Sequence, residues 1–222
     1  MTTQLIPQAF WFRLAVPCAR VDAIPRKGPG RLLNLPDSCR LPDSARLDGK
    51  TPWANVRAAW NADGLAVEVE AEGSLDALAY DDHSEGLYGL RVWVDTRDTR
   101  DVSRATRFCH RFDARLSRGS GKFGVGVLFQ QRTIARAVAD APMCRADDLT
   151  ARAEALKRGW RLEMFLPASA LHGFDPETNR RLGFTYQVSA PDHEDQFLGV
   201  GREFPIGENP SLWSTLELTD SP

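Results

Sequence analysis

Lysine is nearly missing from this chain of 222 residues: of 28 cationic side chains, four are Lys (Lys27, Lys50, Lys122 and Lys157) and 24 are Arg. Net charge is also small, −2 at neutral pH, with a pI near 6.1. That balance excludes a globally basic nucleic-acid binder. No apolar run approaches the roughly 18 or more residues that would cross a bilayer as a helix. There is no collagen period, low-complexity tract or internal repeat. Disorder is excluded too, since 42% of residues are hydrophobic and little net charge opposes collapse. The N-terminus lacks the charged n-region of a secretory signal, and Gln8 and Arg13 interrupt any apolar core, so a cytoplasmic location is expected. The four cysteines (Cys18, Cys39, Cys109, Cys144) match no Cys-x-x-Cys spacing. Free thiols are expected in a reducing compartment; the sharper alternative is a Cys18–Cys39 staple across a proline-rich segment. The motifs Gly-x-Ser-x-Gly and His-Glu-x-x-His are absent, and 119–124 (Gly-Ser-Gly-Lys-Phe-Gly) lacks phosphate-loop spacing and reads as a turn.

What is present is alternation. Residues 17–52 are dense in Pro, Gly and Asp, which disfavours helix and predicts an extended wrap. Beyond them, 55–60 and 65–70 alternate around Asn61-Ala62-Asp63-Gly64, the pattern of a β-hairpin. Further alternating runs occupy 90–95, 160–166, 182–188 and 213–218, and 167–173 reads as one helical turn. Short strands separated by turn signals predict an all-β, antiparallel β-sandwich of jelly-roll type with one or two short helices. One domain over 1–222 is expected, with a wrap at 1–45 and the core at 46–218. One segment conflicts with this scheme. Arg97, Arg100, Arg104, Arg107, Arg111, Arg115 and Arg118 recur at helical spacing, yet Phe108, His110 and Phe112 alternate as in a strand. The expectation is a helical turn near 101–105 followed by a strand over 106–115. Segment 91–118 holds eight Arg, four Asp and no Lys, net +4; the remaining 20 cations and 26 anions leave −6 elsewhere.

The order of blocks resembles the family 9 carbohydrate-binding modules and their DOMON-like relatives. It is carried by Leu47-Asp48-Gly49-Lys50, the hairpin with Trp60, the strand ending Val94-Asp95, Gly159-Trp160 through Leu171, Leu182 through Val188, and a closing Trp213 strand. The resemblance spans roughly 45–218 and implies a β-sandwich, usually non-catalytic. The arginine-rich block 95–118 departs from the family pattern and looks like the mark of an uncharacterised bacterial subgroup.

Strand parity sorts the six tryptophans, whose indole faces suit the C–H face of a sugar. Trp60 and Trp160 share phase with apolar neighbours and belong to the core, while Trp11 and Trp213 near the termini close it. Trp93 is out of phase, beside Arg91 and Asp95. It is a candidate platform, though a covering loop is the plainer reading. Trp53 lies in a loop before a strand, accessible for stacking, with packing at the sandwich end as the alternative. The expected binding residues are thus Arg91, Trp93, Asp95, Arg107, Arg111 and Trp53. Arginine forks would suit an acidic or sulfated sugar. Asp95, Asp98 and Asp101 form a weak calcium candidate opposed by neighbouring arginines. His110 with Met164 would be a haem axial pair, but both share phase with core residues. Glu68, Glu70 and Glu163 are the carboxylates for a glycoside hydrolase; salt bridges to Arg57, Arg91, Arg107 and Arg161 explain them more simply. The polar run 192–196 would position hydroxyl-binding groups at a sandwich edge, or be only a solvated turn. The leading reading is a non-catalytic module for a carbohydrate or other polyhydroxylated or anionic ligand. An intramolecular or protein docking domain is the alternative. No nucleic-acid or membrane partner is expected.

Overall fold

The computed structural model describes residues 6–75, 87–119 and 124–220, so Ser120–Phe123 of the glycine-rich turn lie outside the described residues. Among the described residues, eleven strands form the architecture: β1 (Ala15–Arg20), β2 (Ala54–Asn61), β3 (Gly64–Glu72), β4 (Gly89–Asp95), β5 (Cys109–Arg118), β6 (Val125–Arg132), β7 (Thr150–Leu156), β8 (Gly159–Pro167), β9 (Arg181–Ser189), β10 (Gln196–Phe197) and β11 (Ser214–Thr219). Ten run in the order β6-β5-β4-β9-β11-β1-β2-β3-β8-β7, with β10 paired to β9 off this path. The end strands β6 and β7 come side by side, so the sheet nearly closes on itself.

Side chains of one parity fill the interior. Val56, Ala58 and Trp60 of β2 meet Leu65, Val67 and Val69 of β3; Trp160, Leu162, Met164 and Leu166 of β8 continue the layer. Leu90, Val92 and Val94 of β4, Phe112 and Ala114 of β5, and Leu182, Phe184 and Tyr186 of β9 line the opposite wall. This burial is the main force closing the sheet. The β2–β3 hairpin turns at Ala62-Asp63 as expected, with Asn61 opposite Gly64. Gly64 has φ +153, and a Cβ there would lie 2.1 Å from the Leu166 carbonyl oxygen, so β3 and β8 can pair closely only with glycine.

Four expectations change. The sandwich is antiparallel except at β1, which pairs parallel with both β11 and β2. β1 arises within the segment expected only to wrap. Its Pro17 is tolerated because the β2 pairing covers Ala19 and Arg20 alone, leaving Pro17 without a β2 partner. Helical segments among the described residues are single 3-10 turns, including Ala168–Ala170 within the expected 167–173 turn. No helical turn forms at 101–105. Asp95 Oδ1 and Oδ2 accept the N–H groups of Arg97 and Thr99 at 2.9 and 2.7 Å, and Asp98 takes φ 47, so the chain turns away from helix. The strand expected from 106 begins at Cys109 and runs to Arg118, where pairing to both β4 and β6 overrides the helical arginine spacing.

Both outer faces of the sheet are overlaid. Ile24, Leu32, Leu33, Leu35 and Cys39 cover Ala19, Ala59, Ala66 and Phe165. Ile134, Phe197, Val200, Ile206 and Trp213 cover Trp93 and Cys109. Cys18 and Cys39 are buried free thiols, and Cys109 and Cys144 are also free. None of the described helices is long and apolar enough to cross a membrane.

Candidate functional site

The expected platform on β4 is closed. Trp93 is 2% exposed, and a Cβ at Gly207 would lie 3.4 Å from its ring, so the 206–213 segment rests on the indole. Parity put Trp93 on the outer face, as observed; the covering loop removes it from solvent. Arg91 and Arg111 do meet beside it, but they spend themselves on Asp113. Arg91 donates from Nε and Nη2 to the two Asp113 oxygens at 2.8 Å each, and Arg111 does so at 2.9 and 2.8 Å. Burial raises the Asp113 pKa, but the hydrogen bonds from Arg111 and Arg91 outweigh it and hold the carboxyl below its usual value. Arg107 is exposed in the turn before β5, apart from this triad. The expected cluster of Arg91, Trp93, Asp95, Arg107 and Arg111 is therefore not one open surface.

The acidic loop does not converge on a cation. Asp95 is 1% exposed and holds backbone N–H groups; burial raises its pKa beyond what they offset. Asp98 is salt-bridged to Arg100 at 3.3 Å and Arg181 at 3.1 Å, while Asp101 is exposed. No group of three or more His, Cys, Asp or Glu able to hold a metal occurs among the described residues. His110 has both ring nitrogens engaged: Nε2 lies 3.3 Å from the His172 carbonyl oxygen and Nδ1 3.4 Å from the Gln131 amide nitrogen. A neutral ring protonated at Nε2 satisfies both, and burial lowers its pKa to about 4. Met164 packs in the core. Neither residue is free to be a haem ligand.

Glu68 and Glu163 face each other across β3 and β8, but under a lid rather than in a cleft. The N–H groups of Leu32, Leu33 and Asn34 donate to Glu163 at 2.8–3.1 Å, and Leu35 donates to Glu68 at 3.3 Å. Arg31 bridges the pair, 2.6 Å from Glu68 and 3.3 Å from Glu163. Of the expected partners, Arg57 reaches Glu68 and Arg161 reaches Glu70. Arg91 goes to Asp113 instead, and Arg31 was not foreseen, because no spacing rule links a loop to a strand pair 37 and 132 residues away.

Trp53 has a different setting. It follows Pro52, which holds the preceding chain extended, and enters β2 at Ala54. The β9–β10 loop folds onto it. Gln196 Oε1 accepts the N–H groups of Trp53 and Ala54 at 3.0 and 3.1 Å, and Gln196 Nε2 donates to the Ala54 carbonyl at 2.8 Å. The Trp53 indole N–H donates to the Glu194 carbonyl at 2.8 Å. The His193 ring lies parallel to the indole, with centroids 4.4 Å apart and planes 9° apart. The loop is fixed from behind, since Gln187 Nε2 donates to Asp195 at 3.2 Å and Ser189 Oγ and Arg202 also hold that carboxylate.

Trp53 and His193 wall a groove of about 650 Å³. That volume is within the range of small-ligand sites. Five carboxylates line it, Asp48, Glu72, Glu194, Asp195 and Glu203, against the single cation Lys50, which pairs with Glu194 at 3.2 Å. Glu72 has no ion pair among the described residues and is exposed. A second concavity of about 410 Å³ also includes Trp53 in its lining, with Asn55, Glu70, Glu72, Lys157 and Arg158. The run 192–196 was legible as a polar loop; its seat against Trp53 was not, because 140 residues separate His193 from Trp53.

The fold is that of a β-sandwich similar to family 9 carbohydrate-binding modules. A family 9 module from Caldicellulosiruptor kristjanssonii in complex with glucose is similar with a TM-score of 0.51 at 15% identity, covering 76% of this chain and 78% of that one. The complex with cellotriose from the same organism has a TM-score of 0.47 at 14% identity, with 76% of each chain covered. No protein-family model matches the chain, and no curated protein matches it in sequence.

Proposed function

We propose that the protein is a non-catalytic carbohydrate-binding module whose site is the Trp53 groove, taking a neutral sugar. The observation that carries this reading is the stacked Trp53–His193 wall of an acidic groove. An aromatic face covers the C–H side of a pyranose, and carboxylates accept hydrogen bonds from the hydroxyls at its rim. The loop that carries His193 is held in place by Gln196 and Asp195, which supports a preformed site. An acidic or sulfated sugar fits less well: Asp48, Glu72 and Glu203 line the groove with no ion pair among the described residues and repel it, and Arg91 and Arg111 are already occupied by Asp113. Catalysis by Glu68 and Glu163 would need both carboxylates reachable by substrate, and the 31–35 segment seals them. The structurally similar family 9 module is a glucose complex, which makes neutral glucosides the first ligands to test.

The test is calorimetric titration against neutral, uronic and sulfated oligosaccharides, with Trp53→Ala beside the wild type. Binding of neutral sugars, weakened at least about tenfold by Trp53→Ala, is the expected result. A folded protein that binds no sugar, or whose binding ignores Trp53→Ala, sinks the reading.

A further inference from the structure

We infer that the groove continues onto an aromatic platform at the N-terminal turn, so that the ligand is an oligosaccharide chain rather than a single sugar. The inference rests on the reading of the Trp53 groove as a sugar site. A 3-10 turn, Gln8–Trp11, follows Pro7 and docks on the groove's wall: the Gln8 N–H donates to Asp48 Oδ1 at 2.6 Å, and Asp48 lines the groove. Phe10 stacks on Phe204, with centroids 4.8 Å and planes 14° apart, and Phe204 directly follows the lining residue Glu203. Trp11 meets Phe10 edge-on at 5.7 Å. Two independent contacts thus tie the turn to the groove, one through Asp48 and one beside Glu203.

The turn is held in place, yet its aromatic surface is left open. Trp11 is 64% exposed, Phe12 56% and Phe10 40%. Single exposed apolar residues need no explanation, but three consecutive aromatics form a patch that marks a binding surface. The interior does not lack room for tryptophan, since Trp60, Trp93, Trp160 and Trp213 are all buried. What favours a sugar chain over a protein as occupant is continuity. The patch is tied to the groove walled by Trp53 and His193 through two of its acidic lining residues: Asp48 accepts the Gln8 N–H, and Glu203 directly precedes Phe204, on which Phe10 stacks. One pyranose ring occupies one aromatic face, so two platforms on one groove call for successive rings of one chain.

The experiment titrates wild type, Trp11→Ala and Trp53→Ala with neutral gluco-oligosaccharides from one to six units, alongside thermal melts and sedimentation. Wild-type affinity is expected to rise about tenfold between the shortest and longest chains. Trp11→Ala should erase that gain while leaving affinity for the shortest binding sugar and the melting temperature unchanged. Trp53→Ala should weaken every length. The inference is overturned if wild-type affinity does not depend on length, or if Trp11→Ala binds all lengths like wild type; the groove reading then stands on Trp53→Ala alone. It is also overturned if Trp11→Ala dissociates a dimer without changing sugar affinity, since the platform is then a contact between copies. Failure of every sugar to bind removes both readings.

Discussion

Trp93 and Trp53 are both candidate stacking residues in the sequence, and their fates differ because of what is laid over them. Gly207 and Ile206 bring a loop down on Trp93, whereas the loop reaching Trp53 brings an imidazole alongside and leaves a groove. His110 shows the same dependence on surroundings. Its ring is buried between β5, the His172 carbonyl and Gln131, and its pKa is lowered to about 4. The unfolded chain, with an ordinary histidine, binds a proton at higher pH than the folded one does. Stability linked to His110 is therefore complete above the unfolded pKa, near 6.5, and is lost as pH falls toward about 4. NMR should show the His110 ring resonances flat from pH 8 to about 5. A midpoint near 6.5 would mean that the imidazole is solvated and the neutral hydrogen-bonded assignment wrong.

At the scale of elements, the β3–β8 pair carries two buried carboxylates that fasten the 31–35 segment, and they respond to acid in opposite senses. Burial raises the Glu163 pKa, but the N–H groups of Asn34, Leu32 and Leu33 outweigh it and hold it low. Its stabilisation is present above the unfolded pKa and lost as pH falls through the lowered folded value. Glu68 is raised by burial despite Arg31, so the folded state takes up its proton first and gains on acidification. Denaturant melts between pH 7 and 3 should thus show a shallower acid decline for Glu163→Gln than for wild type, and a steeper one for Glu68→Gln. Parallel declines in all three would refute the assignment. How much of this was legible follows from range. The strands were readable because alternation is local: Val56-Ala58-Trp60 and Leu162-Met164-Leu166 point inward as their parity says. The arginine-rich segment was misread at 101–105 because Asp95 captures the N–H groups of Arg97 and Thr99, while the strand beyond depends on partners distant in sequence. Arg31 over Glu68 and Glu163, and His193 over Trp53, are contacts between loops and remote strands, for which spacing carries no signal.

Across the whole molecule, β1 joins the two runs of strands, β6-β5-β4-β9-β11 and β2-β3-β8-β7, and the groove opens where loops from both meet: Trp53 precedes β2, and 193–196 follow β9. The charge asymmetry takes on a meaning at this scale. Within segment 91–118, Arg91 and Arg111 pair with Asp113 and Arg100 with Asp98, pairs already counted in its +4. The acidic remainder supplies the groove, where Lys50 pairs with Glu194 and Arg202 with Asp195, and Asp48, Glu72 and Glu203 have no ion pair among the described residues. Recognition there should depend on stacking and hydroxyl hydrogen bonds, with no ion pair to the ligand. Salt screens exposed charges over about 10 Å at 0.1 M and about 3 Å at 1 M, but leaves dispersion and neutral hydrogen bonds nearly untouched. The affinity for a neutral gluco-oligosaccharide should therefore change by less than about twofold between 0.05 and 0.5 M salt, measured by calorimetry. A steep fall with salt, or a preference for sulfated over neutral chains at low salt, would move the site from the Trp53 groove to the exposed arginines, of which Arg107 is one.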